Sequence, residues 1–246
     1  MKHRSKCLIK LLLTIGMVTF LLNSAQSQIL ISLLLGDKLN SPNLEFGVEG
    51  GFNRTWLSGI DEASGFGDFH LGFYFDIRIK NNLWLNTGLR IKSNVGAKNI
   101  NPYSLNNAEL DSVFLDGTVD RNLGYWYVPA HIKYRFGKSQ QFFAMAGGQI
   151  GLRNRVSDTF RNTYQDDDDV SFKNDIDDQI KRIDAGVSGG LGYKFKGSGM
   201  NLGLTYYHGL VNIMRDTDRP EYNYTSKNSS LYLYVDIPIG AGKKDS

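Results

Sequence analysis

Three histidines follow the first 27 residues: His70, His131 and His208. A histidine does chemistry when it can activate a nucleophile and is itself oriented by a third group. No Gly-x-Ser-x-Gly motif accompanies any of the three. His70 and His131 fall among alternating polar positions and read as packing side chains; His208 falls on an apolar parity near a segment end. No catalytic residue is assigned. The run QDDDD at 165–169, with Asp175, Asp177 and Asp178 beyond it, offers carboxylates. It lacks the D-x-[DN]-x-[DN]-G spacing and the later Glu of a calcium loop, and blocks of like charge are usually solvated. Phosphate loops, zinc spacings and haem motifs are missing too, so the sequence implies no cofactor and no metal. What remains is a set of charges at alternate positions. Glu49, Asp76, Arg78, Arg90, Lys133, Arg135, Asp184 and Asp236 are its centre, and Glu45, Asp68, Lys92 and Lys194 extend it.

Alternate spacing points to strands. The clearest guide is 124–136, GYWYVPAHIKYRF. Trp126, Val128, Ala130, Ile132, Tyr134 and Phe136 occupy one parity, and Tyr125, Tyr127, Pro129, His131, Lys133 and Arg135 the other. One face suits an apolar medium and the other does not. The same pattern recurs at 44–57, 67–80, 82–95, 140–153, 181–195, 200–211 and 229–239, which gives eight segments. Most are longer than the roughly 5–6 residues usual in a globular strand and suit the roughly 9–11 that a tilted membrane strand needs.

The connections sort by length. Those at 81, 137–139 and 196–199 are tight and built of turn residues. Those at 58–66, 96–123, 154–180 and 212–228 are long. Strict alternation of short and long predicts an all-β, eight-stranded antiparallel up-and-down transmembrane β-barrel with short periplasmic turns and long extracellular loops. Trp56 and Trp126 then mark the outer rim, and Phe46, Tyr134, Phe136, Phe142, Tyr193 and Phe195 the inner one. A barrel of eight strands is just wide enough for side chains to fill. Charges on the polar parity must therefore meet inside and pair, because an unpaired buried charge is costly. The expectation is a lumen filled by a salt-bridge network, with no open pore. Gly72, Gly88, Gly147, Gly151, Gly186, Gly190 and Gly192 leave room there for long side chains. Pro129 cannot donate to a ladder, so a bulge or kink is expected at it.

The first 27 residues read as an export signal: basic Lys2, Arg4, Lys6 and Lys10, an apolar run to Leu22, then Ala25-Gln26-Ser27 before the predicted cut. That run is short for a membrane helix. The formal charge is +3, but the leader carries four of the 28 basic residues and none of the 25 acids, so the remainder is 24 against 25, or −1. This gives no case for nucleic-acid binding. The only Cys is in the leader, so the exported chain has neither disulfide nor thiol chemistry. The expected organisation is a signal peptide at 1–27, an N-terminal periplasmic segment at 28–43, the barrel at 44–239 and a polar tail at 240–246, in the cell outer membrane.

The sequence YVPAHIKYRF at 127–136 resembles the Pro-containing strand of PorT-like, porin-family outer-membrane β-barrel proteins of Gram-negative bacteria. GDKLN at 36–40, GVEGGFN at 47–53, DAGVSGGLGYKF at 184–195 and YYHGLVNI at 206–213 resemble other strands of that family. The resemblance implies an outer-membrane location and, through the family's named member, an accessory place in transport or protein secretion. It carries over no functional residue. Set against it are a structural or interaction barrel that acts through its loops, an enzyme at the outer rim, and a soluble lipocalin-like carrier. The partners expected of the barrel reading are outer-membrane lipid, the barrel-assembly machinery and an envelope or extracellular protein at the long loops.

Overall fold

The computed structural model describes residues 41–60, 62–164, 168–215 and 225–239. The leader at 1–27, all but the last three residues of 28–43, the acidic stretch 165–167 and the tail 240–246 lie outside the described residues.

The described residues form nine strands and one short helix: β1 (Leu44–Leu57), β2 (Ser64–Lys80), β3 (Leu83–Ile100), α1 (Ala108–Phe114), β4 (Thr118–Phe136), β5 (Phe142–Tyr164), β6 (Asp168–Asp175), β7 (Ile183–Lys194), β8 (Asn201–Gly209) and β9 (Asn228–Pro238). Every pairing is antiparallel. Each strand pairs with its successor, except that β5 pairs with β7 across β6, and β9 returns to β1 with Glu49 opposite Asp236. Eight strands thus close a hydrogen-bonded ring. β6 stands outside it, paired along the far end of β5.

Closure removes the sheet edge, which is what a β structure needs in order to face lipid. The outer wall meets that condition. Val128, Ile132, Ile150, Val187, Leu191, Leu204, Leu233 and Ile237 are about half exposed or more on β4, β5, β7, β8 and β9, and exposed Phe52, Leu71 and Ile91 continue the band over β1, β2 and β3. So much exposed apolar surface would be an aggregation hazard in water. From Trp126 to Phe136 the band spans ten residue steps, about 25 Å once strand rise and tilt are allowed for. At the short-turn end it finishes in an aromatic row that runs Tyr134, Phe136, Phe142, Tyr193, Phe195, with neighbouring centroids 5.1–6.4 Å apart. The turns there use left-handed residues: Asn81 (φ 49°), Gly137 (φ 90°) and Gly199 (φ 72°).

The other end departs from expectation. Much of what reads as loop is strand. β3 runs five residues past Val95, β4 begins six residues before Gly124 and β5 continues to Tyr164. The signal was obscured by two bulges. β3 gains a residue at 91–92, where its register shifts against both neighbours, and β5 gains Asn154 opposite the Gly124–Tyr125 step. An extra residue turns every later side chain to the other face. Val95, Ala97, Val156 and Phe160 keep the apolar parity of their strands, yet they point inward and are buried. Above the lipid band the barrel therefore has an apolar interior.

Pro129 causes no bulge. It faces Gln149 in unbroken register on β5. On the β3 side the paired positions step from Thr87↔Ala130 to Arg90↔Tyr127 without a shift, and the Thr87 hydroxyl donates to the Pro129 carbonyl at 2.8 Å. A gap in the ladder accommodates the missing donor.

Candidate functional site

The interior is layered along the barrel axis. At the short-turn mouth, Trp84 lies under the Arg135 guanidinium, 4.3 Å from ring centroid to Cζ. Glu45 accepts from Lys194 and from the Tyr74 hydroxyl (3.1 Å), with Arg135 3.4 Å away. One level in, the Asp76 carboxylate meets Lys133 Nζ at 2.7 Å, Arg135 Nη2 at 2.7 Å and Asn86 Nδ2 at 2.8 Å. Asp76 and Lys133 are both fully buried. Next, His131 lies between Asn86 Oδ1 (3.2 Å) and the Ser188 hydroxyl (2.6 Å). Beside it Arg90 pairs with Glu49 (2.5 Å), donates to Gln149 Oε1 (2.8 Å) and lies over the Tyr232 ring at 4.5 Å. His70 Nε2 is 3.6 Å from Glu49. A tyrosine layer closes the polar part: Tyr127 and Tyr207 each donate to Asp184 at 2.9 Å, and Asn228 donates at 3.2 Å.

Five of the eight central charges read from the sequence thus come together as ion pairs: Glu49, Asp76, Arg90, Lys133 and Arg135. Three are placed otherwise. Arg78 sits at the mouth, donates to the Asn81 carbonyl (2.9 Å) and lies over Trp84. Asp184 is held by the neutral donors already named. Asp236 is buried opposite Glu49 and accepts from Asn201 Nδ2 at 3.2 Å. Among the described residues neither acid has a cation within ion-pair distance. Asp68 and Lys92 form a partly exposed pair at 3.7 Å.

Packing of the rings depends on missing side chains. A Cβ at Gly151 would lie 2.4 Å from the Tyr127 ring, at Gly192 2.1 Å from Phe143, and at Gly203 2.3 Å from Tyr234. Each of these three rings occupies the space above a glycine. Sequence parity placed Gly151 and Gly192 inside; it gave no hint that each receives one particular ring.

Beyond the tyrosines lies a plug that sequence reasoning missed. Val95, Val119, Leu123, Val156, Phe160, Ile176, Ile180, Ile213 and Met214 form one buried cluster with Phe114 of α1. Helix α1 is capped by Asn107, whose side chain accepts from the N–H groups of Glu109 and Leu110. Within the plug, Arg121 and Asp158 make a two-pronged pair at 2.6 and 2.9 Å. Tyr103 also donates to Asp158, and burial together with that carboxylate pushes its phenol well above the usual tyrosine range. Arg121 and Asp158 fall within stretches that read as loop. Their only sequence signal is parity with Leu123 and Phe160 once the bulges are known. Arg153 stoppers the plug by donating to the carbonyls of Asp177 and Ile180.

This interior binds and orients its own side chains. The contact Ser188–His131–Asn86 has the order of a hydrolytic relay, but His131 is fully buried and Ser188 nearly so. His208 is on the lipid-facing wall, 3.2 Å from the Ser229 hydroxyl. Among the described residues, no group of three or more His, Cys, Asp or Glu side chains could hold a metal ion.

Residues 25–215 match the outer membrane protein beta-barrel domain family. The chain belongs to that family. It is an outer-membrane barrel in fold, and the match is to the broad family rather than to its PorT-like members. A comparison with curated proteins finds no match. Among solved structures it is similar to the attachment invasion locus protein of Yersinia pestis (11% identity, TM-score 0.40, covering 80% of this chain and 99% of that one). It is also similar to Neisserial surface protein A (14%, 0.41, 78% and 96%) and to OprG from Pseudomonas aeruginosa (11%, 0.37, 80% and 93%). The assignment rests on the family match and on the closed ring, not on these likenesses.

Proposed function

We propose that this protein is a sealed outer-membrane barrel that acts by contact through its long-loop end, with the short turns facing the periplasm. The observation that carries the reading is the double closure of the interior. A buried network of ion pairs and hydrogen-bonded acids occupies the membrane half, and an apolar plug with its own helix caps the other. In a barrel of this width side chains occupy the interior, so what it presents to its surroundings is its rims and its loops. The PorT-like motif at 127–136 supports a place beside an export apparatus within this reading. With the lumen closed, that place would be one of binding rather than conduction.

Planar-bilayer or liposome conductance tests the closure. The folded protein should give no stable large channel. Long-lived, protein-dependent steps of uniform size would refute the sealed lumen. Capture of an envelope or extracellular protein by the intact barrel should fail when the 101–117 connection is replaced by a short turn.

A further inference from the structure

The outward face of the two bulges forms a feature that the closed lumen does not explain. The extra residue of β3 lies opposite the Tyr125–Tyr127 step of β4 and that of β5 opposite the adjoining Gly124–Tyr125 step, so that Asn94 and Arg155, just past the two bulges, flank Gly124. Between them opens a polar cleft of about 490 Å³ on the outer wall, with Gly124 at its floor. Asn94, Asn122, Asn154 and Ser157 line it, and it holds two cations, Arg155 and Lys173. The β5 bulge is what aims Arg155 there. Arg153 points inward to stopper the plug, Asn154 is the inserted residue, and Arg155 turns out and is exposed. Bulges recur where a strand must re-aim a side chain.

Arg155 and Lys173 form no ion pair among the described residues, and no carboxylate lines the cleft. Acids at neighbouring strand positions have contacts of their own, among them Asp120 with Arg161 at 3.3 Å. Asp68 accepts from Asn94 Nδ2 (2.6 Å) and pairs with Lys92. Asp175 accepts the Asp177 N–H at 2.9 Å. Unpaired cations grouped with amides suit an anion that also carries hydroxyls.

The height of the cleft decides which anion. Trp126 pairs with Leu152 in the last lipid-facing layer, and Gly124 pairs with Arg155. Arg155 is therefore two to three residue steps above the apolar band, about 5–8 Å along the barrel axis. That is the depth of the headgroup layer, about 5–8 Å on each side of a bilayer core. We propose that the cleft binds a phosphate-bearing sugar headgroup of an outer-leaflet lipid. Arg155 and Lys173 take the phosphate, and Asn94, Asn122 and Asn154 take sugar hydroxyls. The proposal rests on the membrane-spanning reading and deepens it by naming a lipid partner for the outer rim.

The test reconstitutes the full exported chain in phosphatidylcholine vesicles that contain lipopolysaccharide as a minor component. Protein is re-extracted in mild detergent, and bound lipopolysaccharide is quantified by mass spectrometry. The wild type should retain it. Arg155→Gln/Lys173→Gln should lose about tenfold in retention, equivalent to one charge-assisted contact. Lys138→Gln at the opposite, short-turn end should retain as the wild type does. Heat-modifiable gel mobility is read on each sample. If the wild type fails to insert, the membrane reading fails; if it inserts and retains no more lipopolysaccharide than the double variant, the cleft proposal fails. Thermal stabilisation of the detergent-solubilised wild type by inorganic phosphate, without lipopolysaccharide retention, would mark a soluble-anion site and overturn the lipid assignment.

Discussion

Removing Asp76 and removing Lys133 should have unequal costs, and the difference is set by what each leaves behind. Both side chains are fully buried. Lys133 has one carboxylate within ion-pair distance, Asp76, and otherwise lies over the Phe143 ring at 4.5 Å. Asp76 has Lys133, Arg135 and Asn86. Asp76→Asn therefore strands an ammonium group in the barrel centre and leaves Arg135 with only the longer contact to Glu45. Breaking a buried pair in this way costs about 3–5 kcal/mol. Lys133→Met leaves Asp76 with a guanidinium and an amide donor, so the loss is that of one ammonium donor shared by its two oxygens (2.7 and 3.0 Å), about 1.5–3 kcal/mol. In the double variant Asp76→Asn/Lys133→Met the stranded charge is gone. Its cost should fall below the sum of the singles by about 1–3 kcal/mol. Urea unfolding of barrel reconstituted in lipid, followed by tryptophan fluorescence and heat-modifiable mobility, measures all three. Equal costs for the two single variants, or strict additivity, would refute the assignment of Asp76 as the centre of the network.

Glycine sites should respond according to the space above them. Gly192→Val drives a side chain into Phe143 and the Leu202 carbonyl and should cost at least the roughly 1–3 kcal/mol of overpacking, whereas Gly197→Ala, with nothing within 4 Å, should be neutral in the same unfolding assay. Val187→Arg places a charge near mid-band on the exposed outer wall and should destabilise by about 2–4 kcal/mol; a loss below 0.5 kcal/mol would argue that this face does not meet lipid. Phe114→Ala removes the anchor of α1 from the plug, a change worth about 3–5 kcal/mol locally. Limited proteolysis should then cut the 101–117 connection sooner, while the membrane-embedded strands stay protected.

The membrane half was legible because its physics is simple. Alternation in 67–80 and 124–136 is nearly perfect, the turn residues at 81, 137 and 199 have the left-handed φ that their types suggest, and β1 begins and ends where its pattern does. Charges on one parity of a narrow barrel have nowhere to go but the centre. Their partners were not legible, since pairing depends on stagger between strands distant in sequence, such as β2 and β4 for Asp76 and Lys133. The extracellular half was read as loop for a different reason. The sequence NRVSDTFRNTY after Arg153 still alternates, but its polar residues include Arg155, Asp158 and Arg161, and no local signal announces that Asn154 reverses the faces. Asp158 looks like a loop acid until Arg121 is set across from it.

That reversal makes the two halves unequal in their tolerance of length change. Below Arg153 the polar parity of β5 faces in; above it the apolar parity does. Deleting Asn154 would rotate the whole upper strand by half a turn, so that Val156 and Phe160 would face water while Arg155 and Ser157 would enter the plug. Removing two adjacent residues there would restore the faces and merely shorten the strand. Lineages of this chain should therefore vary the height of the upper wall in steps of two, and an odd insertion should survive only beside a compensating one.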